Sequence, residues 1–171
     1  MESKAKVLGH ALHPILIVFP LGLLSTSVLF DVAHLLTDSR AFALVAFWTV
    51  VGGILGGLVA AVPGWIDWLA IPAGTRAKRI GLIHGLGNVM VLLLFSLSWL
   101  IRRDENAYLP TVSSLSASFA GFAILGITGW LGGELVDRLG VGVDDHANLN
   151  APSSLSGYAA TDINPVRHTI H

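Results

Sequence analysis

Four long apolar segments constrain this chain more than any other feature of its sequence. They cover residues 11–36, 41–62, 80–101 and 112–136 of a chain of 171 residues. Because a helix of about 20 mostly apolar residues crosses a bilayer core of ~30 Å, each segment is long enough to span a membrane. The composition agrees, since 53% of the residues are hydrophobic and only 12% are charged. Short polar turns separate the segments, which predicts an all-α integral membrane protein, a four-helix up-down bundle.

The polar residues outside these segments predict the domain organisation and the orientation. Residues 1–143 form the predicted transmembrane domain, and the polar stretch 144–171 lacks helical periodicity, which predicts a mobile cytoplasmic tail. Basic residues in short loops stay on the cytoplasmic side of a membrane. Most of them lie on the side of the N-terminus (Lys4, Lys6, Arg76, Lys78, Arg79 and Arg138), against Arg40, Arg102 and Arg103 on the other side. We therefore expect both termini to be cytoplasmic.

Composition also limits the chemistry and the partners. The chain has no cysteine, which excludes disulfides, thiolate metal sites and iron–sulfur clusters. With a net charge of -1 and no block of like charge, we expect no nucleic-acid partner. The expected partner is the lipid bilayer. Small-xxx-small patterns at Gly52/Gly56 and Gly129/Gly133 also allow close helix contacts within a homo-oligomer or with subunits of a membrane complex.

Ionisable residues inside the spans are the candidate functional residues, because each costs at least ~2.5 kcal/mol to insert and needs a partner or a purpose. Five of them, drawn from all four spans, are expected at one depth near the cytoplasmic face: His10, His13, Asp67, His84 and Glu134. Imidazole is the usual haem ligand and a common ligand for Zn, Cu and Fe. His10 or His13, together with His84, is therefore a candidate pair for haem b. With Asp67 and Glu134 as ligands or orienting groups, the same residues are a candidate site for a divalent metal.

A structural interpretation of these residues stays open. Histidines and carboxylates also join helices by hydrogen bonding to one another, without any ligand. At the opposite end of the first span, Asp31 and His34 are three residues apart on one helix face. We expect those two to form a simple structural pair.

Three functions are compatible with this pattern. The first is a membrane protein that binds haem b or a metal for electron transfer or redox sensing. The second is a small cofactor-free subunit or assembly factor of a larger membrane complex, and the third is proton or ion translocation. Hydrolysis is disfavoured because the chain contains no Gly-x-Ser-x-Gly elbow and no phosphate loop. We therefore expect a binding protein rather than an enzyme.

Four short motifs resemble one family of bacterial membrane proteins. They are His10-x-x-His13-Pro14 followed by Phe19-Pro20, Asp67-Trp68 before Pro72, His84-Gly85-x-Gly87-Asn88, and Gly132-Gly133-Glu134-Leu135. Together they resemble the predicted membrane proteins of the domain of unknown function 2231 family, over roughly residues 1–143. The resemblance implies a multi-pass four-helix domain in the bacterial inner membrane, found in some cases with redox modules. It implies no established reaction.

Overall fold

The computed structural model of the chain describes residues 1–162 and is mostly helical within them. A two-stranded antiparallel hairpin, β1 (Lys6–Val7) and β2 (His10–Ala11), precedes the first helix. The helices are α1 (Leu12–Leu16), α2 (Val18–Thr37), α3 (Arg40–Ala70), α4 (Arg76–Arg103) and α5 (Val112–Gly133), and one π-helical turn (Glu134–Arg138) continues α5. Four candidate membrane spans result: Leu12–Thr37, Arg40–Ala70, Arg76–Arg102 and Val112–Arg138. The predicted all-α four-span architecture is confirmed. Residues 163–171 of the predicted tail lie outside the described part.

Local sequence signals explain where the helices begin. The Thr75 hydroxyl accepts a hydrogen bond from the Lys78 amide at 3.1 Å and caps the start of α4. Thr111 and Ser114 form a reciprocal capping box at the start of α5. Each such cap satisfies backbone donors that a helix leaves free and contributes ~1 kcal/mol. The two loops between antiparallel helices therefore end at defined residues.

Prolines modify two of the helices. α3 continues through Pro63 as far as Ala70, about two turns beyond the predicted end at residue 62. Pro63 removes one N–H donor, so only the carbonyl of Val59 loses its partner and the helix goes on. In the first span the helix is interrupted at Ile17, three residues before Pro20. Pro20 has no N–H to offer the carbonyl of Leu16, which explains a break at that place.

The spans pack as two helical hairpins. Hairpin 1 consists of α1, α2 and α3, and hairpin 2 consists of α4 and α5; α3 also packs against α4, and α2 against α5. Consecutive spans are neighbours, so α2 and α4 lie diagonally across the bundle. The central apolar core contains Leu24, Val28, Val50, Val91, Phe95 and Leu125.

The outside of the bundle is apolar, whereas its inside contains fully buried polar groups. Large exposed side chains include Leu36, Trp48, Leu55 and Trp130. Such a surface suits lipid acyl chains and would favour aggregation in water. Fully buried polar residues include Ser27, Asp31, Ser98, Arg102, Ser114 and Ser118. This distribution is typical of a protein that spans a membrane.

The two hairpins repeat one packing pattern. On α2 and α4, Leu24 and Phe95 are both buried, both lie in the central core and are 71 positions apart, the spacing that also separates Asp31 from Arg102. Leu24 packs on Gly53 of α3 so closely that a Cβ there would collide with its Cδ2. Phe95 packs in the same way on Gly121 of α5, where a Cβ would lie 2.9 Å from its Cε2. Each hairpin is thus closed by a large core side chain against a glycine of its second helix.

Candidate functional site: a histidine pair between the hairpins

His13 lies near the start of the first span and is held against α3. It is the second residue of α1, and its Nδ1 is 2.8 Å from the carbonyl oxygen of Ala60. A carbonyl can only accept a hydrogen bond, so Nδ1 carries a proton, and in the neutral form of the ring Nε2 is the nitrogen that has the free lone pair. Gly64, one turn after Ala60, makes this approach possible, since a Cβ there would lie 2.8 Å from Nδ1. The imidazole therefore depends on a glycine of the neighbouring helix.

His84 of α4 is held by α5 in the equivalent way. Its Nδ1 is 2.9 Å from the carbonyl oxygen of Thr128, and a Cβ on Gly132 would lie 3.3 Å from its Cε1. The Asn88 amide donates to the His84 Nε2 at 3.1 Å and also to the His84 carbonyl at 3.0 Å. Asn88 is itself positioned by Thr128, whose hydroxyl donates to its Oδ1 at 3.1 Å. His84 is thus a neutral imidazole with both nitrogens in hydrogen bonds.

The two imidazoles meet between the hairpins. Their ring centroids are 6.3 Å apart and their planes are nearly perpendicular, at 87°. His13 and His84 have the same 71-residue spacing as Asp31 and Arg102, and their partners Ala60/Gly64 and Thr128/Gly132 keep one constant spacing along α3 and α5. The histidines are therefore equivalent members of the repeated packing pattern.

The other three residues predicted to join this cluster have different partners. His10 belongs to β2 and is exposed, with Nε2 3.3 Å from the Ser154 hydroxyl. It cannot share a helix face with His13, because the helix begins only at Leu12. Glu134 forms an ion pair with Arg76 at 2.7 Å. The expected five-residue cluster therefore does not assemble as one site.

Asp67 anchors the segment that precedes the first span. Its carboxylate accepts hydrogen bonds from the Ser3 hydroxyl at 2.7 Å, the Lys4 amide at 2.7 Å and the Ala5 amide at 3.3 Å. These donors satisfy a carboxylate that is only 8% exposed. Within residues 1–162, no group of three or more His, Asp or Glu side chains is arranged to hold a metal ion.

At the opposite end of the bundle, Asp31 has a partner that the sequence did not indicate. Both of its oxygens accept from the Arg102 guanidinium, each at 2.7 Å, and both side chains are fully buried. Arg102 also donates to Ser118 at 3.2 Å, and Ser118 donates to Ser98 at 2.8 Å. The expected Asp31–His34 pair is therefore wrong. The third span was predicted to end at residue 101, whereas α4 continues to Arg103 and places Arg102 inside the bundle.

His34 instead forms a hydrogen bond with the turn that follows α2. Its Nδ1 is 3.0 Å from the Ser39 carbonyl oxygen, at the turn into α3. The signal that would have revealed the true partner of Asp31 is spacing, because Asp31 follows His13 at the same distance as Arg102 follows His84.

Four apolar spans, a polar interior and a paired histidine site define a multi-pass integral membrane protein of the four-helix class. The chain belongs to the family described as "Predicted membrane protein (DUF2231)", whose model matches residues 9–145. This match confirms the resemblance that the sequence motifs indicated. No curated protein and no solved structure matches the chain.

Proposed function

We propose that the chain binds haem b through His13 and His84 and serves as an electron-transfer protein of the membrane. The observation that carries this proposal is the pairing of two half-buried imidazoles across the bundle, each with its Nδ1–H bonded to a backbone carbonyl. A histidine that ligates a metal almost always donates a hydrogen bond from its other ring N–H to a carbonyl or carboxylate. When that N–H is Nδ1–H, the tautomer is set and Nε2 is left for the metal. His13 and His84 both have this arrangement.

The number of ligands favours haem over a bare ion. Structural zinc sites take four protein ligands and catalytic sites three, whereas haem iron is held by one or two protein ligands. His13 and His84 supply two, and the described residues supply no third close donor of the usual types. His13 and His84 would hold the haem iron through their Nε2 nitrogens, and their ring centroids are 6.3 Å apart.

The residues around His13 and His84 have distinct roles in the proposed haem site. Ala60 and Thr128 hold the imidazoles through their carbonyl oxygens, and Gly64 and Gly132 leave the space that the two rings occupy. Ligation by His84 requires Asn88 to give up its bond to Nε2, but Asn88 keeps its second bond, to the His84 carbonyl. Haem, when bound, would supply a one-electron redox centre that the protein's own side chains lack.

A second candidate function is a cofactor-free subunit of a membrane complex. The observation in its favour is that both nitrogens of His84 already have partners inside the protein. In that case the histidines only join helices, and interhelical hydrogen bonds of this kind contribute ~0.6–2 kcal/mol each.

An absorption spectrum of the protein purified from cells supplied with haem separates the two functions. We expect a Soret band that shifts on reduction, and we expect His13→Ala and His84→Ala to abolish it while the protein stays inserted, since the apolar spans drive insertion. The matched controls His10→Ala and His34→Ala remove histidines outside the pair and should retain the band. A colourless native protein, or equal loss in the controls, would contradict the proposal and favour the subunit.

A further inference from the structure

The Asp31–Arg102 ion pair joins the two hairpins inside the bundle. It connects α2 of hairpin 1 with α4 of hairpin 2. Lys78 and Trp68 also bond across the hairpins, but they lie beside the turn that links α3 to α4. Among residues 1–162, the Asp31–Arg102 pair is the only side-chain hydrogen bond between the hairpins within the spans away from that turn.

The pair occupies equivalent positions of the repeated pattern, but with opposite charges. His13 matches His84 in type, Ser27 matches Ser98, and Leu24 and Phe95 are both large apolar residues, all at the spacing that separates Asp31 from Arg102. Because the two hairpins have similar surfaces, hairpin 1 can pack against hairpin 1 of a second copy through many of the contacts that it makes with hairpin 2. At this one position the like pairing would bring two buried carboxylates, or two buried guanidinium groups, together.

A buried ion pair is a poor device for stability alone. The cost of removing two charges from water is large, and well-packed apolar residues of similar volume often serve equally well or better. Arg102 even leaves its Nε without a partner in the described part of the chain. The best attested benefit of a buried polar group is that it specifies which helices associate.

We propose that Asp31 and Arg102 form a pairing lock, which selects the association of hairpin 1 with hairpin 2 and excludes like-with-like pairing between two copies of this chain. The lock acts through charge, since two like charges in a fully buried site cannot both stay ionised without a large penalty. The proposal is independent of any ligand at the histidine pair.

Charge exchange tests whether the pair is an attractive contact. In the purified full-length protein, Asp31→Arg and Arg102→Asp should each lower Tm by about 10 °C, because each places like charges together in the buried site. The double variant Asp31→Arg/Arg102→Asp exchanges the charges and should recover most of that loss. A double variant that melts no higher than either single variant would overturn the proposal.

Crosslinking tests the selectivity itself and does not require the reversal variants to fold. The chain has no cysteine, so a Ser27→Cys variant can form a disulfide only between two copies. With the native ion pair we expect monomers after oxidation. In the background Asp31→Leu/Arg102→Met the site is apolar and the helices still insert into the membrane. There we expect the Ser27→Cys variant to form covalent dimers, because like hairpins of two copies now pair. Absence of dimers in that background, or dimers with the ion pair intact, would show that the pair does not select partners.

Discussion

Replacing Gly64 by alanine tests the geometry of the histidine pair directly. The new Cβ would lie 2.8 Å from the His13 Nδ1 and 2.9 Å from its Cε1. The ring would have to retreat by roughly 0.7 Å to reach ordinary contact at ~3.5 Å. Its hydrogen bond to the Ala60 carbonyl, now 2.8 Å, would then lie outside the normal range.

The expected magnitude follows from three terms. Overpacking a close contact costs ~1–3 kcal/mol, loss of the hydrogen bond costs ~1 kcal/mol, and alanine in place of glycine in a helix stabilises by ~1 kcal/mol. The net destabilisation is therefore ~1–3 kcal/mol, which corresponds to a decrease in Tm of about 2–12 °C for a chain of this size. We also expect any haem bound through His13 to be weakened.

Two matched glycines on α5 serve as controls. A Cβ on Gly132 would lie 3.3 Å from the His84 Cε1, so a shift of a few tenths of an ångström suffices and Gly132→Ala should be close to neutral. Gly129 has open space around its added Cβ, so Gly129→Ala should leave Tm unchanged or raise it.

Thermal unfolding in detergent, followed by circular dichroism, gives the order of the variants. If Gly64→Ala melted at or above Gly129→Ala, the described contact between α1 and α3 would be refuted. The double variant Gly64→Ala/His13→Ala supplies an internal check, because without the imidazole the new methyl group has nothing to displace and the clash term should vanish.

Two further predictions concern the ends of the spans. Asp67→Asn replaces one acceptor oxygen by a donor that faces the Ser3 hydroxyl and the backbone amides, so the N-terminal segment should become more sensitive to limited proteolysis. The control Ser3→Ala leaves the hydrogen bonds of the backbone amides to Asp67 intact and should have a smaller effect. Equal resistance of both variants and the native protein would contradict the anchoring role of Asp67. Reporter fusions after Arg40 or Asp104 should report the periplasm and fusions after Asp144 the cytoplasm, as the distribution of basic residues requires, and the reverse pattern would invert the proposed orientation.

The sequence by itself determines the number and order of the spans and roughly where each one lies. This information is local, because about 20 consecutive apolar residues suffice to cross a bilayer whatever surrounds them. It also determines roughly where ionisable residues lie along each helix, as for His13 and His84, which do lie close together. Helix starts at Thr75 and Thr111 follow equally local rules of capping.

The tertiary structure decides which of these residues meet. Helices that are apolar on every side show no clear face, since lipid accepts any of them, and rotation about the helix axis is left to packing and to hydrogen bonds between helices. The sequence therefore did not reveal that Asp31 faces Arg102 rather than His34, or that Asp67 faces the N-terminal segment. Both contacts join residues far apart in the chain, and the close packing of Leu24 on Gly53 and of Phe95 on Gly121 limits how the two helices of each hairpin can rotate against each other.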